Sequence, residues 1–140
     1  MRERAILACL VSVLGGCADI VEEHYSNYES ANASGAMKRG WVPSWLPASA
    51  HNLNEAHSID TNQSLLHFEF ESAEWEGIQH ECVSIAHSAV RKPGIEAQWW
   101  PRALPQGAFS ANRLVYYSCD NGAAFLAVNS GEGHAYYWRP

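Results

Sequence analysis

Strict alternation marks Leu65-Leu66-His67-Phe68-Glu69-Phe70-Glu71. Leu66, Phe68 and Phe70 fall on one side and His67, Glu69 and Glu71 on the other, which predicts a half-buried strand over 65–71. The period then changes. Ser72 stands as an N-cap with Glu74 and Glu76 behind it, and Trp75, Ile78, Cys82, Ile85 and Ala89 recur at helical spacing. This predicts a main helix to about Val90, stopped by Pro93-Gly94. Three further apolar runs, 113–119, 123–128 and 134–139, are separated by Asp120-Asn121-Gly122 and by Asn129 to Gly133, and they predict an antiparallel meander. Upstream, Val21, Tyr25, Tyr28 and Ala31 have helical spacing, with Asp19, Glu22 and Glu23 in the first turn; this predicts an N-terminal helix or tether over 17–39. The expected fold is α+β: about four antiparallel strands, the meander plus strand 65–71, on one main helix.

Residues 40–64 follow neither period. Pro43 and Pro47 exclude a regular helix, so Trp41, Trp45 and Leu46 are expected to lay an ordered, extended segment over the body of the domain. Asp60-Thr61-Asn62 is turn chemistry. Residues 95–112, with Trp99-Trp100-Pro101, predict an irregular aromatic loop.

The first residues have a different purpose. Arg2 and Arg4 precede a twelve-residue apolar and small stretch, Ala5 to Gly16, too short to span a bilayer but the length of a signal core. It ends in Leu14-Gly15-Gly16-Cys17, which resembles the lipobox of bacterial lipoproteins, where the cysteine thiol receives lipid and becomes the first residue. The resemblance implies a signal peptide over 1–16, an acylated Cys17 and a mature single domain over 17–140. Removing sixteen of 140 residues leaves 124. The nine Lys+Arg and fifteen Asp+Glu lose two arginines and one glutamate, which leaves a formal charge of −7. Ala18 after the cysteine implies, by resemblance to the sorting rule, an outer-membrane address facing the periplasm. Such a balance offers no basic footprint for nucleic acid. In an exported chain the remaining pair, Cys82 and Cys119, is a disulfide candidate: the helix stripe and the strand face holding Val115, Tyr117 and Cys119 are expected to meet. The alternative is two buried thiols.

Gly40-Trp41-Val42-Pro43, Leu46-Pro47-Ala48-Ser49-Ala50 and Ile59-Asp60-Thr61-Asn62 before a Phe-rich strand, together with Tyr117-Ser118-Cys119, Phe125-Leu126-Ala127-Val128 and Ala135-Tyr136-Tyr137-Trp138, resemble a group of small bacterial lipoproteins of uncharacterised function. The resemblance covers most of the mature chain and brings no activity with it.

Chemistry is sparse. His80 and His87 would share a helix face two turns apart, about 10 Å, too far to chelate one ion by themselves. No HExxH, CxxC or Gly-x-Ser-x-Gly element is present. The acids Glu69, Glu71, Glu74, Glu76 and Glu81 are expected on a hydrated surface. No catalytic residue, metal or cofactor is therefore expected. Trp41, Trp45, Asp60, Thr61, Asn62, Trp99 and Trp100 are the candidate interaction surface, because aromatics on irregular backbone make good anchors. The expected function is a non-catalytic binding or accessory protein of the cell envelope, held by its lipid and meeting an envelope protein partner. The alternatives are a periplasmic immunity-type inhibitor of a toxin and a small envelope enzyme.

Overall fold

The computed structural model describes residues 19–104 and 114–140. Cys17 and the signal segment lie outside the described residues. Seven strands form one antiparallel sheet: β1 (Ile20–Asn27), β2 (His51–Ser58), β3 (Ser64–Glu69), β4 (Cys82–Ile85), β5 (Val115–Cys119), β6 (Ala124–Asn129) and β7 (His134–Arg139), in the order β1-β2-β3-β7-β6-β5-β4. The helices are short: α1 (Tyr28–Ala33), α2 (Ala36–Arg39) and α3 (Trp75–Gln79).

The expected α+β architecture is thus overturned: the described residues form a sheet of seven strands with only short helices and no main helix. The predicted helix over 72–90 is a 3-10 turn (Ser72–Glu74), the five-residue α3, then strand β4. Gly77 and the β-branched Val83 and Ile85 weaken a helix, and the edge of β5 offers ladder hydrogen bonds to Cys82-Val83-Ser84-Ile85. His80 and His87 therefore share no helix face. The predicted helix or tether over 17–39 starts instead with β1, whose Val21, Glu23 and Tyr25 line one side. Helix begins only at Tyr28, where Asn27 and Ser30 form a reciprocal capping box. Residues 51–58, expected as part of an extended irregular segment, are β2.

The strand around 65–71 and the meander are present, but the meander does not sit apart. β7 pairs with both β3 and β6, so the last strand in sequence occupies the middle of the sheet. A type of turn only glycine supports leads into it: Gly133 has φ +68, and a side chain there would collide with the Phe70 carbonyl.

Both sheet faces are covered, because successive side chains of the central strands point opposite ways and both sets are apolar. One face carries Leu53, Leu66, Phe68, Leu126, Val128 and Tyr137 beneath α1, α2, Val42 and Leu46. The other carries Ala56, Leu65, Phe125, Ala127 and Trp138 beneath Ile95, Trp100 and Leu104. The disulfide joins Cys82 to Cys119, directly opposite each other in the β4–β5 ladder.

Candidate functional site

The least ordinary chemistry lies where β1 and β2 pass under the Trp41 segment. Register places Val21 opposite His57 and Glu23 opposite Glu55, while Ser64 on β3 faces His57 from the other side. Glu55 and His57 are two apart on β2 and so point to the same face, into the core. They are 0% and 1% exposed. Nδ1 of His57 lies 3.0 and 3.1 Å from the two carboxyl oxygens of Glu55.

A glycine turn closes the site. α2 ends at Gly40, with φ +80, and the Trp41 amide donates back to the Ala36 carbonyl at 3.1 Å. The chain thereby lays the Trp41 indole flat on the His57 ring, with centroids 3.4 Å apart and planes 14° apart. The guanidinium of Arg39 sits 4.4 Å above the indole and also donates to the Ser34 carbonyl. Guanidinium, indole and imidazole form a three-deck stack in which the cation meets the indole face.

Burial governs the protons. It pushes the Glu55 carboxyl up to about 8, with Glu23 adding to the effect and Arg39 opposing it. It pushes the His57 imidazole down, and Arg39 acts in the same direction. At neutral pH the pair is therefore uncharged: the Glu55 hydroxyl donates to Nδ1 of His57, and neither group carries an unpaired charge into the core. Among the described residues, Nε2 of His57 and the hydroxyl of Ser64 find no hydrogen-bond partner.

Glu55, His57 and Ser64 have the composition of an acyl-transfer triad. Access decides against that chemistry, because Ser64 is 1% exposed and the indole seals the imidazole from above. A nucleophile must reach its substrate.

A second polar cluster stands at the far end of the sheet, on the opposite face. Register aligns His51, Glu69 and His134 across three strands, and His67 lies 3.3 Å from His134 through its Nε2. Burial and the neighbouring His134 push His67 down to about 4. Their ring centroids are 5.6 Å apart, so the two nitrogens face each other in line. That is an imidazole-to-imidazole hydrogen bond, not a pair of lone pairs converging on one ion. Among the described residues no three His, Cys, Asp or Glu are grouped to hold a metal.

The seven residues expected as one surface fall into three places. Trp41 and Trp45 cover one sheet face, Trp45 packing edge-on against Tyr137. Trp99 and Trp100 lie over the opposite face; Trp99 donates to Glu22 at 3.2 Å and Trp100 packs edge-on against Tyr136 and Trp138. Beside them a cleft of about 660 Å³ is lined by Glu22, Lys92, Ile95, Trp100 and Arg102 among others. Asp60, Thr61 and Asn62 are exposed at the β2–β3 turn, where Thr61 and Gln63 bond each other. Glu55, His57, Arg39, Glu23 and Ser64 were not expected as site residues. The signal for the first two was available: a turn at 60–62 before a strand implies a partner strand just upstream, and two polar residues two apart share one of its faces.

A family model, the YbbD head domain, matches residues 19–69. That stretch contains β1, α1, α2, β2 and β3, and with them the whole of the Arg39–Trp41–His57–Glu55 arrangement. The match suggests an envelope-associated family and shows no specific function. No curated protein and no solved structure matches the chain.

Proposed function

We propose that this chain is a lipoprotein of the cell envelope, anchored through Cys17, that works by binding a partner and not by catalysis. The observation that carries the reading is the lipobox-like Leu14-Gly15-Gly16-Cys17 immediately before the matched head, which begins at residue 19. The disulfide supports it, since such bonds persist in oxidising compartments outside the cytoplasm. The sealed Glu55–His57–Ser64 row supports a binding role, because its polar groups are buried beyond the reach of a substrate. On this reading the mature chain is 17–140, the anchor lies in the outer membrane, and the partner is an envelope protein.

Metabolic labelling with a fatty acid tests the anchor. The expected result is label on the wild type and an unlabelled, unprocessed precursor for Cys17→Ser. Equal labelling of both overturns the assignment. For the binding role, mature protein should retain partner capture when Ser64 is changed to alanine; loss of a hydrolytic activity in that variant would instead identify an enzyme.

A further inference from the structure

We infer that the end of the sheet bearing the β2–β3 turn rests on the lipid surface, with Ile59, Trp41 and Arg39 as its contacts. The inference builds on acylation of Cys17. Only Ala18 separates Cys17 from Asp19. Two residues of fully extended chain span roughly 7 Å. Asp19 is already fixed to the domain: its carbonyl accepts from the Ile59 amide at 3.3 Å, and the next residue, Ile20, is in register with Ser58. An acyl group on Cys17 thus holds this one turn within a few ångströms of the headgroups, with no tether long enough for the domain to roll over.

The side chains at this end suit that position. Ile59 is 58% exposed, an uncommon state for a large aliphatic, and among the described residues it shares that state only with Val83 and Val115 on the opposite half of the sheet. His57 is two residues from Ile59, so the indole stacked on it and the guanidinium above belong to the same end. An aliphatic, a tryptophan and an arginine are what a headgroup boundary accommodates: the first enters the acyl region, the indole spans the boundary and the cation meets phosphate. Asp60, Thr61 and Asn62 beside them offer an acid and two hydrogen-bonding groups to ammonium headgroups. The surface fitted is therefore a bilayer rich in phosphatidylethanolamine. β2 rises away from it for eight residues, about 26 Å. The His51, Glu69 and His134 row then stands at the far end, turned towards the aqueous compartment.

Depth measurement on the lipidated protein tests this. Ile59→Cys and Asn52→Cys variants are each labelled with an environment-sensitive fluorophore and placed in phosphatidylethanolamine–phosphatidylglycerol nanodiscs containing nitroxide lipids, with the mass of Cys17 checked for acyl chains. The expected result is several-fold quenching at position 59 and little at position 52. An acylated protein with equal quenching at both sites, or more at 52, overturns the orientation and leaves the anchor standing. A Cys17 without acyl mass overturns both.

Discussion

Trp41 lies over one face of the sheet and Trp138 lies within its central strand β7, and they do opposite jobs. Trp138 is 0% exposed, packs against Trp100 and Phe125, and gives its indole proton to the Arg91 carbonyl at 2.7 Å. The rings it packs against are those of Trp100 and Phe125, within an apolar cluster. Trp41 is half-buried, meets an imidazole and a guanidinium, and covers the His57 ring that bonds the buried Glu55 carboxyl. The half of the sheet formed by β4–β7 is held by packing and a covalent staple. The half formed by β1–β3, which the family model matches, hides polar groups at its centre. Stability resides in the first, and pH sensitivity in the second.

The largest effect should come from Trp138→Ala, which removes the centre of the aromatic face. A loss of about 3–5 kcal/mol is expected by denaturant unfolding, against a total of ~5–15 kcal/mol. Reducing the Cys82–Cys119 bond comes next. It closes a separation of 37 residues, and its removal should cost roughly 2–4 kcal/mol, read as a lower melting temperature in reductant. Trp41→Ala should cost less, about 1–2 kcal/mol, because the ring is half-buried. Its distinguishing sign is electrostatic: water then reaches Glu55, and NMR titration should find its carboxyl back towards the ordinary range. If Trp41→Ala destabilises as much as Trp138→Ala and leaves Glu55 raised, the contrast between the halves is wrong.

Acidity offers a subtler separation. The folded Glu55 carboxyl titrates at about 8 and its unfolded counterpart at 4.5, so Glu55 favours folding at low pH and that stability is lost as pH rises to 8. His57 and His67 are lowered from 6.5, so their contribution is lost as pH falls below 6.5, for His67 down to about 4. Between 4.5 and 6.5 His67 offsets the carboxyl and His57 acts in the same direction as His67; above 6.5 the carboxyl acts without opposition. Stability should decline by about 1–2 kcal/mol from pH 6.5 towards pH 8, since one proton is worth ~1.4 kcal/mol per pH unit. Glu55→Gln should abolish this alkaline decline and steepen the loss towards acid. The smallest effect belongs to the turn: Thr61→Ala, exposed and bonded only within its own loop, should fall within ~0.5 kcal/mol by the same unfolding measurement.

Sequence reasoning reads the second half of this fold better than the first, for a physical reason. The Leu66, Phe68 and Phe70 alternation and the runs at 113–119, 123–128 and 134–139 are apolar, and apolar periodicity is what a sequence displays most openly. β2 has Asn52, Asn54, Glu55 and His57 in eight residues, and it looks like a surface segment. Glu55 and His57 can be buried there because Nδ1 of His57 pairs with the Glu55 carboxyl, a pairing visible only once the strand exists. The helix expected over 72–90 failed because Trp75, Ile78, Cys82 and Ile85 fit a helical stripe and a short helix followed by a strand equally well. Cys82 and Cys119 were paired for the wrong reason: a helix and a strand were expected to meet, and two neighbouring strands do. As for the site, Trp41 was singled out by its size, whereas Glu55 and His57 beneath it were passed over because the strand that puts them on one face was not recognised.

The central place of β7 bears on how the molecule comes into being. Ser64 finds Arg139 and Leu66 finds Tyr137, partners more than seventy positions apart. Closing such long loops is slow compared with forming hairpins. Until residues 134–139 emerge, β3 and β6 each present a bare edge and no strand pairing joins the two halves. A chain cut short before His134 would offer two sticky borders to its neighbours, the arrangement from which strand exchange and aggregates grow. The sheet is thus obliged to remain unfinished until its last strand arrives.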